Sequence, residues 1–469
     1  MPEQTDRPAA QSTDVAFAGA ARQAELIASG EVSSRELVEL YLGRIERIDP
    51  QVNAYRTVMA DRALTEADQA DRRRAGGDER PLLGVPVAVK DNADVAGEVS
   101  TQGTAAHGGP AAEDAELVRR LRAAGAVIIG KTNLPELAIT GTTESPNWGV
   151  TRNPWNLDRT PGGSSGGSGA AVAAGLAALA HATDGAGSIR IPAACCGLFG
   201  LKPQRDRVSL APDSQHWYGM SVAGAVTRTV LDNAIYLDAV SSDTGGRPFA
   251  ESARTVPGNL RVAVSTKFGL PNPGLKVDPV VRGALDSTAE LLRSLGHAAD
   301  EHDVDYGLIG AVFLPRFLKG IQAEAATLAR PERLQRRTRG FVAMGAAVPQ
   351  AAVDRAMRDE ADRAARINRL FDHFDVLMTP VSTVPPVGAQ EWEGKSAFRT
   401  VNEMGRVYPY TGVWNATGQP AASVPAGFTD DGLPLAVQLV GRPGDEHTLL
   451  SLAAQIEAER PWADQRPPV

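Results

Sequence analysis

Three short stretches carry the residue types that could do chemistry. GGSSGGSG, Gly162 to Gly169, follows Pro161 and runs into the small-residue segment AAVAAGLAALAHA. A second glycine-rich turn, GAGS, spans 185–188. GVPVAVK, 84–90, ends an apolar run on Lys90. Glycine at this density lets the backbone bend sharply or lets another group approach closely. A phosphate-cradling loop would need a lysine and a serine or threonine after the last glycine, and none is there; the dinucleotide pattern G-x-G-x-x-G is also absent. Gly162 to Gly166 formally match G-x-S-x-G, but the preceding NPWNLDRTP has two prolines and no strand character, so a nucleophile elbow is poorly supported. That reading would also need a late histidine, and the surroundings of His373 and His447 look structural.

Chain geometry offers a third reading. Ser165 to about Ala174 has helix propensity, with Ser165 as a helix-start serine and Gly175 as a stop. Ten helical residues advance about 15 Å. ALAHATD, 177–184, returns about 15–20 Å as a strand. The out-and-back path brings GAGS to GGSS, so that Ser164 and Ser188 could meet, with the N–H groups beside Ser188 available as an oxyanion hole. A serine needs a base. Lys90 is the candidate, since burial at a strand end would depress its pKa toward neutrality. On VAVK alone, a lysine snorkelling to water is the favoured reading.

The elements that must hold these loops read as an α/β pattern. Residues 22–48 form two helices, the second capped by Ser33 or Ser34 with an apolar face of Leu37, Leu40, Tyr41 and Ile45. Helix–turn–strand follows at 114–133, a strand at 260–265, a helix near 278–295, strands at 375–380 and 435–441, and a helix after Asp445. The alternation predicts a central mixed β-sheet covered by helices on both faces. Residues 305–372 are rich in Arg and Ala without strand character and read as a helical insertion or cap. Residues 1–12 read as disordered and 13–469 as a single domain.

Composition narrows the function classes. The 469 residues are 43% hydrophobic with a net charge of −8, which argues against a nucleic-acid footprint. MPEQTDRPAAQSTD lacks the layout of a signal peptide, and no run of about 18 apolar residues suggests a membrane span. The adjacent Cys195 and Cys196 cannot easily bridge each other and read as buried free thiols in a reducing, cytoplasmic setting. With no histidine beside them they do not suggest a zinc site.

At this point the residues resemble a family. VAVKDN, PGGSSGGSGAAVAAG and TDGAGSIRIPAACCGLFGLKP are similar to the signature of the amidase signature hydrolases. The likeness extends through KTNLPELAITGTTESPNWGVTRNPWN and resumes in NATGQPAASVPAGF and LPLAVQLVGRPGDEHTLL. It covers about 20–240 and 375–460, with 300–370 as the variable part. The resemblance implies a Ser–cis-Ser–Lys triad: Ser188 as nucleophile, Lys90 as base, and Ser164, after a cis peptide from Gly163, as proton relay. It implies an oxyanion hole from the N–H groups of Gly185, Ala186, Gly187 and Ser188, braced by Ser165, Thr183, Asp184 and Arg190. No metal or cofactor is implied. The family usually has two glycines before the nucleophile. Ala186 replaces the first, which would be costly if that position needs a positive φ.

The substrate is less legible. By the family pattern Ala138 lines the acyl channel, and its small side chain leaves room. Trp217, Tyr218 and Met220 form either an aromatic wall or a surface-packing cluster. Few charges lie in the pocket-facing motifs, which favours a neutral, apolar or aryl amide, with a carbamate or ester as the alternative. The A subunit of a tRNA-dependent amidotransferase is disfavoured, because Ile191 follows Arg190 where that branch has a polar glutamine. The expectation is a stand-alone amidase, monomer or homodimer, acting on a small molecule.

Overall fold

A computed structural model describes residues 14–213, 216–269, 272 and 274–469; the disorder expected for 1–12 lies outside the described residues. Eleven strands make one mixed sheet: β1 (Tyr55–Val58), β2 (Pro86–Lys90), β3 (Val127–Thr132), β6 (Leu179–Asp184), β7 (Phe199–Lys202), β8 (Val222–Thr227), β9 (Arg261–Val264), β10 (Ala298–Glu301), β11 (Val376–Pro380), β12 (Ala421–Phe428) and β13 (Pro434–Val440). A two-stranded hairpin, β4 (Glu144–Ser145) with β5 (Gly149–Val150), stands apart. Across the main sheet the order is β1-β3-β2-β6-β8-β7-β12-β13-β11-β9-β10. A mixed sheet flanked by helices is the architecture that the sequence alternation predicted.

One part of this order positions the chemistry. β2 lies parallel to both β3 and β6, with Val87 opposite Leu179 and Ala88 opposite Ala180. The carboxyl ends of β2 and β6 are therefore neighbours, and the crevice outside such ends is where open α/β sheets place their ligands. All of β2 and β3 is buried, as expected of strands covered on both faces. Lys90 and Lys131 are carried inside with them, and Lys131 pairs at 3.0 Å with the equally buried Asp91.

Local signals account for the flanking helices. Ser33 forms a capping box with Glu36 at the start of Ser34–Val52, and the helix buries Leu37, Tyr41 and Ile45, while Leu40 packs half-buried on the same core. The helix from the glycine loop spans Gly166–Ala173, but Ser165 does not cap it through its side chain; its Oγ instead donates to the Thr183 carbonyl at 3.2 Å. Gly175 turns the chain at φ +65, and β6 returns along the path the geometry required. Between β10 and β11 the described residues hold only helices, chiefly Gly310–Ala326, Arg336–Ala346 and Gln350–Asn368. Cys195 and Cys196 are free and buried; burial pushes the Cys195 thiol up to about 12. No helix among the described residues is long and apolar enough to cross a membrane.

Candidate active site

Lys90, fully buried, ends β2 and extends its amine to two hydroxyls. Nζ lies 2.8 Å from Ser164 Oγ and 2.9 Å from Thr183 Oγ1. It therefore does not snorkel to water. Burial lowers its pKa to about 7, against a smaller opposing pull from the Asp184 carboxylate. Asn92, whose role the sequence did not signal, donates to the same Thr183 oxygen at 3.0 Å.

The glycine loop holds Ser164 by close backbone packing. The Gly163–Ser164 peptide is cis. A Cβ on Gly163 would meet the Thr140 carbonyl oxygen at 2.6 Å and one on Gly167 the Asn133 backbone at 2.5 Å, so both positions need glycine because another strand of chain passes there. Ser164 is buried, whereas Ser188 is half-buried and lines a cavity with Gly163 and Ala186. The two loops do converge, Gly162 lying against Ile191 and Pro192, but no hydrogen bond joins Ser164 to Ser188 among the described residues.

The second turn is organised by one carboxylate. Asp184 accepts from the N–H of Gly187 at 2.6 Å and of Ile189 at 3.2 Å. Arg190, wholly buried, donates to both Asp184 oxygens at 3.0 Å and on to the Thr411 carbonyl, Gln438 Oε1 and Asn415 Oδ1. Burial alone would raise the Asp184 carboxyl, but Arg190 outweighs it and holds it down at about 2. The N–H of Gly187 is thus spent on Asp184, while those of Gly185, Ala186 and Ser188 have no protein acceptor among the described residues. The only positive φ in this turn falls on Gly187, at +126, and Ala186 is free of it. The alanine therefore carries none of the backbone strain that its place in the turn suggested. Its carbonyl is held by Thr411 Oγ1 at 2.6 Å.

The cavity above Ser188 has about 830 Å³ of empty space, counting its open mouth, and no charged side chain among the described residues lines it. One wall is Ala138 to Gly141, where Ala138 sits at φ +56. Trp217 is on the wall and closes over Gly185, where an added Cβ would meet its ring at 2.9 Å. Tyr218 and Met220 are not on the wall. Both Trp217 and Tyr218 adopt left-handed backbone at φ +52; in this tight turn Met220 is buried in the core and the Tyr218 carbonyl accepts from Arg316. The opposite wall comes from elements with no catalytic signal in the sequence. Ile309, Phe313, Leu314 and Phe317 project from the helical insertion, and Val401, Met404 and Tyr408 from the segment around Ala397–Val407. Phe317 meets Trp217 edge-on at 5.4 Å and stacks with Phe313 at 5.4 Å. The spacing of 309, 313 and 317 puts them on one helix face. That pattern was readable, but it reads equally as ordinary core. His373 and His447 line no part of the cavity; His447 is engaged with Ser252 and the Thr244 carbonyl.

Comparison with known proteins places this constellation. The family model described as Amidase matches residues 36–450. AmiB2 of Mycobacterium tuberculosis is 51% identical over 97% of this chain and 99% of its own length. The 6-aminohexanoate-cyclic-dimer hydrolase of Paenarthrobacter ureafaciens is 36% identical over 96% of each chain. A solved structure of 6-aminohexanoate cyclic dimer hydrolase complexed with substrate superposes with a TM-score of 0.88 at 33% identity, covering 97% of this chain and 99% of that one. A bacterial aryl acylamidase of the amidase signature enzymes superposes at 0.83 with 26% identity, covering 95% and 96%. The chain belongs to the amidase signature family. It is a hydrolase of carbon–nitrogen bonds.

Proposed function

We propose that this protein hydrolyses neutral, apolar or aryl amides through an acyl-enzyme on Ser188, with Lys90 as base and Ser164 as relay. The observation that carries the reading is a fully buried lysine, with a pKa lowered to about 7 by that burial, in contact with Ser164 beneath an uncharged cavity lined by Ser188. Near neutral pH a large fraction of Lys90 is then unprotonated and able to accept. Ser164 Oγ passes its proton to Nζ and takes one from Ser188, whose Oγ has no protein partner among the described residues and can turn toward Ser164 as it attacks the carbonyl carbon. The free N–H groups of Gly185, Ala186 and Ser188 stabilise the oxyanion. Reversing the relay protonates the leaving nitrogen, and water then repeats the path to release the acid. Asp184 and Arg190 are positioning groups: they fix the turn, and Thr183 holds the amine.

The substrate class follows from the lining. A charged group in a cavity without a countercharge would lose hydration with no compensation, whereas Trp217, Phe313 and Phe317 offer ring faces and edges to an aryl or alkyl acyl group. The relatives named for aryl acylamide and cyclic-dimer substrates fit that range. Ile191 on the cavity wall favours a stand-alone hydrolase over an amidotransferase subunit. The test is a panel sharing one leaving group: aryl, aliphatic and charged amides, with the matching esters and carbamates. Highest kcat/KM on neutral aryl or apolar amides is expected; preference for a charged acyl group overturns the reading, and preference for carbamates assigns the alternative.

A further inference from the structure

A second cleft reaches Thr183, the hydroxyl that Lys90 touches, and shares no lining residue with the substrate cavity. Its inner end is formed by Asn92, His181 and Thr183, and its outer end by Asp94, Asp213 and His216. His181 is fully buried and Asp213 exposed, so the cleft runs from the lysine's immediate partners to the surface. It offers about 50 Å³ of space to the centres of water molecules. A water needs about 10–15 Å³ of such space and two or more polar partners, so the cleft has room for a short chain.

The inner partners are set up for water. His181 Nδ1 lies 3.2 Å from the Gly224 carbonyl, which can only accept, and 3.0 Å from the Tyr236 hydroxyl. Nδ1 therefore carries the proton and Nε2 presents a lone pair, and that buried Nε2 has no protein partner among the described residues. Burial, reinforced by Lys90, keeps this imidazole neutral, with its pKa lowered to about 3. The buried Oδ1 of Asn92 likewise has no protein partner among the described residues. Thr183 Oγ1 already accepts from Lys90 and from Asn92, so its own proton points elsewhere, and Thr183 lines the cleft. Two acceptors and one donor without protein partners would each cost roughly 1–3 kcal/mol if left dry.

We infer that this cleft is the proton-exchange route of Lys90, a water chain anchored by His181, Asn92 and Thr183 that joins the lysine to solvent while the front cavity is filled. The inference rests on Lys90 being the base. Proton accounting shows the need. In acylation the Ser188 proton passes through Lys90 to the leaving amine, so the lysine ends neutral. In deacylation one proton of the attacking water returns through Lys90 to Ser188 Oγ, and the other leaves on the new carboxylic acid. At neutral pH that acid ionises, and the nearest base is Lys90 through the same two serines. The product carboxylate then occupies an apolar cavity, and Lys90 must lose a proton to solvent before the next turnover. The titratable groups that interact with it are Asp184 and His181 from β6; Asp94, Asp213 and His216 line the cleft, and His216 is itself paired with Glu324.

Leu210→Trp tests this, since Leu210 lines the cleft and not the substrate cavity and the larger ring fills it. The enzyme is equilibrated at pH 8.5, where Lys90 is neutral, and mixed with a chromogenic anilide. First-turnover release of the aniline should match wild type, while steady-state kcat falls tenfold or more. After a jump from pH 6 to 8.5, labelling of Ser188 by a serine-reactive fluorophosphonate should lag in the variant and not in wild type. Thr183→Val, which cuts the link at the lysine, should show the same lag. Equal first-turnover and steady-state rates without a lag, or equal losses in both, overturn the inference. Lys90→Ala is run alongside: if it is labelled at the wild-type rate with the wild-type pH profile, Lys90 is not the base and the failure lies in the catalytic reading itself.

Discussion

Replacing Lys90 by methionine should abolish activity and stabilise the fold at neutral pH. In the unfolded chain the amine keeps its ordinary pKa near 10.5, whereas burial holds it at about 7 in the folded protein. Between those values the unfolded state binds the extra proton, so native stability rises with pH across that window and the full penalty is present below pH 7. A separation of this size corresponds to about 5 kcal/mol, of which roughly 4 is in force at pH 7. Methionine fills nearly the same volume without a charge to desolvate. Against this gain, the variant loses the contacts of Nζ with Ser164 and Thr183, roughly 1 kcal/mol each. The net is about 2 kcal/mol in favour of Lys90→Met at pH 7. Unfolding entropy of roughly 2.1 cal/mol/K per residue converts that to a rise of about 2 °C in a chain of this length. Near pH 10.5 the penalty has almost gone and only the lost contacts remain, so the difference should change sign. Thermal melts of both proteins from pH 6 to 10.5 give the answer. A difference in midpoint that does not vary with pH would refute a depressed lysine pKa, whatever the activity of the variant.

Further outcomes follow from the same geometry. The kcat/KM of wild type should rise as pH passes about 7 and then level off, and Lys90→Arg should stay inactive across the range because a guanidinium remains charged; an active arginine variant would remove the base assignment. Ala138→Met should lower kcat/KM for bulky aryl amides at least tenfold, about 1–3 kcal/mol, while leaving acetamide-sized substrates nearly unchanged; equal losses on both would mean that Ala138 acts through the loops. Gly187→Ala should cost both activity and thermal midpoint, because φ is +126 and the new Cβ would lie 2.5 Å from Thr411 Oγ1, whereas Ala186→Gly should alter kcat by less than threefold. A Gly187→Ala enzyme with wild-type kinetics would show that the turn tolerates what its geometry forbids.

The two loops of glycines and serines were legible because they contradict what a core wants. Serines and glycines clustered at 162–169 and 185–188 make poor packing material, and a lysine closing an apolar strand has to be accounted for. That the two serine-bearing loops meet followed from helix and strand lengths; that the Lys90 strand pairs with β6 did not. The far cavity wall was not legible, since Ile309, Phe313, Phe317 and Met404 are apolar residues on amphipathic helices and nothing in such a stripe says whether it meets a core or a ligand. Nor was the support for Arg190, whose partners Asn415 and Gln438 lie 225 and 248 residues away and are single polar residues in apolar stretches. Trp217 separates from Tyr218 and Met220 only through two left-handed residues in succession, a backbone choice their identities do not reveal. The cost expected for Ala186 failed for the same reason, because the positive φ belongs to the next residue.

The central claim is that Ser188 carries the acyl group. The most direct measurement is to quench a slowly deacylating aryl carbamate with the enzyme, digest, and locate the added mass by tandem mass spectrometry. Wild type should carry one carbamoyl group per chain, on Ser188, and Ser188→Ala none. An added mass on Ser164 or Ser165, or a Ser188→Ala protein that still becomes modified and turns over substrate, would contradict it.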